Sequence, residues 1–263
     1  MSDSTDVFQE PEKKVFFLNP SAVIMNKIIP ELVQQEYEVY SIKDRETLKR
    51  ALKKYKNCVL FIDINEDMSE KEWEVWITAV MKSPETKGIS IGIITSNDDE
   101  LIKRKYLLSV KVPCGYTVLK YDLDKAITHI FEVLQAVNAK GRRKFVRATM
   151  DRDANTTVNL PISGMFVKGR IVDISTAGFS CIFNGEDPEI SRNILFRDIQ
   201  IKLQSVILKV EGIVFGFRSD DTEKKIEKVY VFIFTQRVDP DTRSKIRKYI
   251  QQNLQNKMDA ELK

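Results

Sequence analysis

The hydrophobic period changes once along these 263 residues, and that change restricts the fold more than any bulk property of the chain. From 14 to 138, short runs rich in β-branched and aromatic residues alternate with stretches of helical period. Beyond about 155, strand-like runs follow one another with only turn residues between them. Strands interleaved with helices build a parallel sheet, whereas consecutive short strands build an antiparallel barrel or sandwich. Two domains are therefore expected, in keeping with a typical size of ~100–200 residues each.

In the first part the sequence predicts strands at Lys14–Leu18, Tyr37–Ile42, Cys58–Ile64, Ile89–Ser96 and Gly115–Lys120. Helices are predicted at 22–34, 45–56, 69–83, 98–109 and 122–138, which together make a doubly wound α/β domain over 13–138. Next comes KGRRKFVRATMDR, with six basic residues between Lys140 and Arg152 against the single acid Asp151. It reads as a basic linker over 139–149. From 150 to 263, strands are predicted at Thr156–Leu160, Met165–Ile174, Gly178–Phe183, Ile199–Val206, Ile207–Arg218 and Lys228–Val238. A terminal helix follows from Asp241 to about Met258, opened by Asp239-Pro240-Asp241 as turn and cap.

Composition narrows the function classes. Lys and Arg number 42 against 38 Asp and Glu, a net charge of only +4, too balanced for a chain built to coat nucleic acid or a membrane surface. Any anion site must be local. The opening MSDSTDVFQEPEKK has neither a basic nor an apolar signal region, and no apolar run approaches the ~20 residues that span a bilayer, so a cytoplasmic location is expected. Cys58, Cys114 and Cys181 are widely spaced among apolar neighbours, which suggests reduced, buried thiols rather than a disulfide or zinc framework. His129 is the only histidine, so no catalytic triad or multi-histidine metal site is available, and no metal or cofactor is expected.

The order of elements and Asp63 at the end of the third predicted strand make 13–138 resemble the receiver domain of bacterial response regulators. In that family an acid pair after the first strand joins the phosphoacceptor aspartate in holding Mg²⁺. Asn19 and Pro20 stand there in this chain. Thr95 or Ser96 matches the receiver hydroxyl and Lys120 the receiver lysine, although Tyr121 follows it where receivers have proline. The resemblance implies a pseudo-receiver in which Asp63 caps the next loop and takes no phosphoryl group.

A second resemblance rests on two motifs thirty residues apart, Arg143-Lys144-Phe145-Val146-Arg147 and Asp173-Ile174-Ser175-Thr176-Ala177-Gly178. Alone, the first reads as a solvated charge run and the second as an Asx-type turn closed by a turn glycine. In this order they resemble the PilZ family, which carries RxxxR followed by [D/N]xSxxG. That resemblance implies a bacterial receptor with a C-terminal antiparallel β-barrel and cyclic di-GMP as its ligand. Arginine forks match the two phosphodiesters and the guanine O6/N7 edge, which assigns Arg143 and Arg147. A carboxylate suits guanine N1–H and N2–H₂, which assigns Asp173, and a hydroxyl suits a phosphate or exocyclic amine, which assigns Ser175. Gly178 offers close approach because it lacks a Cβ. Arg142 matches a family position that stacks on guanine when two nucleotides bind.

The expected function is a non-enzymatic reader of cyclic di-GMP that couples binding to interdomain rearrangement and to a protein partner. Nucleic acid polymers and membrane spans are not expected. The alternatives are a degenerate PilZ-fold interaction protein without ligand, and a DNA-binding response regulator, against which the strand-rich second half argues. An enzyme of cyclic-nucleotide turnover lacks any GGDEF-, EAL- or HD-like run and any cluster of metal-ligand carboxylates.

Overall fold

The computed structural model describes residues 12–141, 143–150, 155–183, 185, 187–222 and 225–263, with backbone only at 220–222 and 225–226. The chain divides into two compact units, one comprising the residues up to Lys144 together with Gln255–Lys263, the other Phe145–Leu254.

In the first unit, β1 (Lys14–Leu18), β2 (Val39–Ile42), β3 (Cys58–Asp63), β4 (Ser90–Thr95) and β5 (Tyr116–Val118) form a parallel sheet in the order β2-β1-β3-β4-β5. The central strands KVFFL and CVLFID are buried at nearly every position, as expected where helices cover both faces of a parallel sheet. Strand alternation sends Val15, Phe17, Val59 and Phe61 to one face, where they pack with Ile28, Leu32, Ile130 and Leu134. Phe16 points the other way and stacks on Tyr40, with ring centroids 5.6 Å apart.

The helices are α1 (Ile29–Gln34), α2 (Arg45–Lys54), α3 (Glu70–Lys82), α4 (Glu100–Arg104) and α5 (Leu123–Ala136). Asp44 and Asp122 cap α2 and α5 by accepting from the third N–H beyond them, and Ser69 with Glu72 forms a capping box on α3. The predicted helices at 22–34 and 98–109 are each interrupted. A π-helical turn, Ile24–Ile28, runs into α1 just ahead of Pro30, whose missing N–H removes one intrahelical bond. Another, Lys105–Val110, takes over from α4 and ends at the left-handed Lys111.

In the second unit, β6 (Arg147–Thr149), β7 (Thr156–Ile162), β8 (Met165–Ser175), β9 (Gly178–Phe183), β10 (Leu195–Leu203), β11 (Val206–Thr222) and β12 (Lys225–Phe234) form one antiparallel sheet. Six of them close a barrel in the order β8-β7-β10-β11-β12-β9, with β9 returning to β8. The long β8 spends its first half against β7 and offers its last three residues to β6.

Two expectations shift here. Arg147–Thr149, read from sequence as the end of a linker, belong to the sheet, and their exposed–buried–exposed alternation places Ala148 in the core. The predicted strands Ile199–Val206 and Ile207–Arg218 abut, but the hairpin turns at Gln204-Ser205, between the paired Leu203 and Val206, so β10 starts earlier, at Leu195. Gln204 has a φ of 54°, a conformation that Asn or Gly would have signalled in sequence and Gln does not.

The final helix, α6 (Pro240–Glu261), serves both units. Ile246, Tyr249 and Ile250, with the partly buried Leu254, recur at helical spacing and enter the barrel core, where the Tyr249 hydroxyl meets Thr156 Oγ1 at 2.8 Å. Beyond Leu254 the helix belongs to the α/β unit. There Gln255 makes two 3.0 Å hydrogen bonds to the Ser41 backbone, and Glu261 accepts from Lys54 and Tyr55 at 2.5 and 2.7 Å. Among the described residues, no helix is long and apolar enough to cross a membrane.

Candidate functional site

A β-bulge determines where the second motif points. Ile171 pairs with Cys181 and Asp173 with Ser180, leaving Val172 as the extra residue. Strict alternation would put Asp173 on the same face as the core residue Ile171. The bulge reverses that phase, so Ile174 enters the core and Asp173 faces outward. In β6, Ala148 pairs with Ile174, Thr149 with Asp173 and Arg147 with Ser175, which brings Arg147 diagonally beside Asp173.

Around Asp173 the structure assembles a charge cluster. Arg147 Nη1 lies 3.7 Å from Oδ1, while Arg218 Nη2 donates to Oδ2 at 2.7 Å. Ser180 Oγ donates to the same Oδ2 at 2.5 Å and accepts from Arg218 Nη2 at 3.3 Å. The Asp173 side chain is only 14% exposed, whereas those of Arg147 and Arg218 are 54% and 52% exposed. One sheltered carboxylate thus sits between two half-solvated guanidiniums, leaving a local excess of one positive charge toward solvent. Arg218 and Ser180 were not identified from sequence. Ser180 occupies the position paired with Asp173 on β9, but Arg218 lies 45 residues beyond Asp173, on a strand that no short motif connects to it.

The other members of the motif have internal partners. Ser175 is buried, its hydroxyl donating to the Gly178 carbonyl at 3.2 Å and accepting from Ala177 N–H at 3.3 Å. A Cβ on Gly178 would lie 2.0 Å from the Phe232 carbonyl oxygen, so β12 itself requires glycine there. Arg143 falls in the first unit, where its Nε lies 3.5 Å from Glu12. Arg142 lies outside the described residues. Of the residues singled out from sequence, Arg147, Asp173, Ser175 and Gly178 are therefore gathered where β6, β8 and β9 meet, four residues along the chain from Arg143.

The turn between β8 and β9 is anchored from outside the motif. Arg243, in the first turns of α6, donates from Nη1 to the Thr176 carbonyl at 2.6 Å, from Nη2 to Thr235 at 2.8 Å and from Nε to Val238 at 3.2 Å. Phe234 N–H also donates to the Ala177 carbonyl.

In the α/β unit, Asp63 is buried at the carboxyl end of β3, beside the topological switch point between β1 and β3. Its carboxylate accepts from Ser21 N–H at 3.1 Å, from Asn65 N–H at 3.2 Å and from the Asn65 side chain. Asn65 Oδ1 in turn receives the hydroxyls of Thr95 and Ser96 at 2.9 and 2.8 Å. Lys120 pairs with Asp98 at 3.1 Å. The receiver-like positions thus hold the Asp63 carboxylate in a network of amides and hydroxyls, with Asn19 and Pro20 supplying no further acid for a divalent cation. His129 is part-exposed on α5, 3.9 Å from Glu132. All three cysteines are buried and free, and burial pushes the Cys58 and Cys114 thiols up to about 12 and about 11 and raises Cys181 as well.

Compared with known protein families, residues 141–252 match the PilZ domain. None of the curated proteins compared matches the chain. Among solved structures, the chain is similar to the PilZ domain of YcgR from Escherichia coli with c-di-GMP, at 15% identity and a TM-score of 0.37, over 46% of this chain and 93% of that one. It is also similar to the MrkH–c-di-GMP complex of K. pneumonia, at 16% identity and a TM-score of 0.39, over 46% of this chain and 54% of MrkH. The PlzA protein of Borreliella burgdorferi in complex with c-di-GMP matches at 15% identity and a TM-score of 0.32, over 41% of this chain and 51% of PlzA. The similarity thus covers about half the length of MrkH and of PlzA. The residues of the antiparallel sheet and of most of α6 fall within the span that matches the PilZ domain.

Proposed function

We propose that the chain is a non-enzymatic receptor for cyclic di-GMP, bound at the junction of β6, β8 and β9. The observation that carries this reading is the cluster at Asp173, where a sheltered acceptor held by Arg218 lies beside the half-exposed fork of Arg147. A dinucleotide with two phosphodiesters and two guanines presents the complementary set, with anionic oxygens and O6/N7 edges for arginine and an N1–H/N2–H₂ edge for the carboxylate. Arg147 and Asp173 make these contacts in this reading, and Arg143, only four residues before Arg147, stays within ~14 Å of it along the chain. Ser175 and Gly178 shape the turn that presents Asp173. Arg142 remains a candidate for stacking on a second nucleotide.

The ligand leaves unchanged, because nothing in the cluster activates a nucleophile or water. The output is a change in how the two units are arranged, recognised by a protein partner, with no polymeric nucleic acid involved. The internal roles of Ser175 and Gly178 favour one second reading, in which the motif serves the fold alone and the domain binds no nucleotide.

Isothermal titration with cyclic di-GMP, cyclic di-AMP, GTP and GMP separates the two. Saturable binding of cyclic di-GMP in preference to the other three is expected. Arg147→Ala is expected to weaken it roughly 10- to 100-fold, since a charge-assisted hydrogen bond carries ~1.5–3 kcal/mol. The thermal midpoint should hold, because an exposed ion pair adds little stability. Absence of binding by the parent chain leaves the fold-only reading.

A further inference from the structure

We infer that Arg218 and Ser180 are positioning residues for guanine selectivity, holding the Asp173 carboxylate in the orientation that reads a base edge. The inference rests on the cyclic di-GMP reading and extends it to two residues outside the paired motifs.

A guanine edge presents N1–H and N2–H₂ side by side, and a carboxylate accepts from that edge only when its plane is turned to face it. An unsupported aspartate rotates about two side-chain bonds, and a selective site must restrict that freedom before the base arrives. In this chain the restriction falls on one oxygen. Oδ2 receives Ser180 at 2.5 Å and Arg218 at 2.7 Å, and these two donors also contact each other at 3.3 Å, closing a three-membered network. Oδ1 is approached by Arg147 at 3.7 Å. Two donors occupy both lone-pair sites of Oδ2 and fix the carboxylate plane, which leaves Oδ1 as the oxygen that accepts from a base edge.

The bulge at Val172 is part of the same device, because it turns Asp173 away from the core and sets it opposite Ser180. Ser180 is 2% exposed, so its hydroxyl has Asp173 and Arg218 as partners in place of water. The bland reading of Arg218–Asp173 is a surface ion pair of negligible value to folding. That weakness is what makes the positioning role testable, since removing the pair leaves the barrel intact.

The test compares parent, Asp173→Asn, Arg218→Gln and Arg218→Lys in the full chain, measuring dissociation constants for cyclic di-GMP and cyclic di-AMP and the thermal midpoint of each protein. The parent is expected to prefer cyclic di-GMP and Asp173→Asn to erase the preference. Arg218→Gln should lower the preference about ten-fold with an unchanged midpoint, and Arg218→Lys should restore part of it by returning a cationic donor to Oδ2. Adding Arg218→Gln to Asp173→Asn should cost no further selectivity, because the two act through one carboxylate. An equal loss of affinity for both nucleotides would assign Arg218 to the phosphates and overturn the positioning role. An unchanged preference in Arg218→Gln, alongside a lost one in Asp173→Asn, would overturn it and leave the receptor reading standing. A parent that binds neither nucleotide overturns the receptor reading and this one with it.

Discussion

A methyl group on Gly178 would sit 2.0 Å from the Phe232 carbonyl oxygen, inside the pairing of β9 with β12. No rotamer relieves a clash with backbone, so the strands must separate. Gly178→Ala is therefore expected to destabilise the ligand-free barrel by about 1–3 kcal/mol, read as a lower urea midpoint with the slope unchanged. A variant as stable as the parent would return the glycine to a purely ligand-facing role. The motif spacing shows a turn and an outward acid at these positions, but it cannot show that Phe232 closes over the glycine. The same holds for Arg218, whose partner Asp173 is legible while the arginine reads as one of many exposed cations. Short motifs report what is local in the chain. Contacts made by closing the barrel are local only in space.

At the scale of elements, the residue that ties the presenting turn to the rest of the domain is Arg243. Its guanidinium joins three carbonyls from two segments, namely Thr176 between β8 and β9, and Thr235 and Val238 in the connection from β12 to α6. A carbonyl left buried without a donor costs about 1–3 kcal/mol, so Arg243→Met is expected to lower stability by about 2 kcal/mol. Hydrogen exchange should rise locally at 176–179 in the empty protein, and exchange unchanged there would show that the turn stands without its clamp. In sequence Arg243 is one of several basic residues on a polar helix face, and nothing in its spacing separates a clamp from a solvated charge. The α/β pattern was more legible, since strands buried on both faces read as continuous apolar runs and capping residues mark helix starts. Elements misplaced by the sequence reading share one cause, a turn or pairing without its usual residue. Gln204-Ser205 turns without Gly or Asn, and β6 is three residues long with arginine at its head.

At the scale of the whole molecule, the chain passes between its two units twice, after Lys144 and again inside α6 after Leu254. The first passage lies between Arg143 and Arg147, the pair proposed to share a nucleotide. A ligand that engages both arginines restrains the short connection between them, and with it the freedom of one unit relative to the other. Restraint has a thermodynamic limit, because the nucleotide can favour one arrangement only by its difference in affinity for the alternatives. A ten-fold difference shifts the ratio of two arrangements ten-fold, or about 1.4 kcal/mol. The segment from Lys140 to Lys144 carries four basic residues in five, and a bound anion lowers the repulsion among them. Cyclic di-GMP is therefore expected to slow hydrogen exchange at 141–146 and to shift or narrow the distance distribution between spin labels placed one on each unit. Higher salt should weaken both effects, because it screens the repulsion the ligand relieves. Exchange already slow in the empty protein, with a distance distribution that the nucleotide leaves unchanged, would remove the rearrangement while leaving the binding site as proposed.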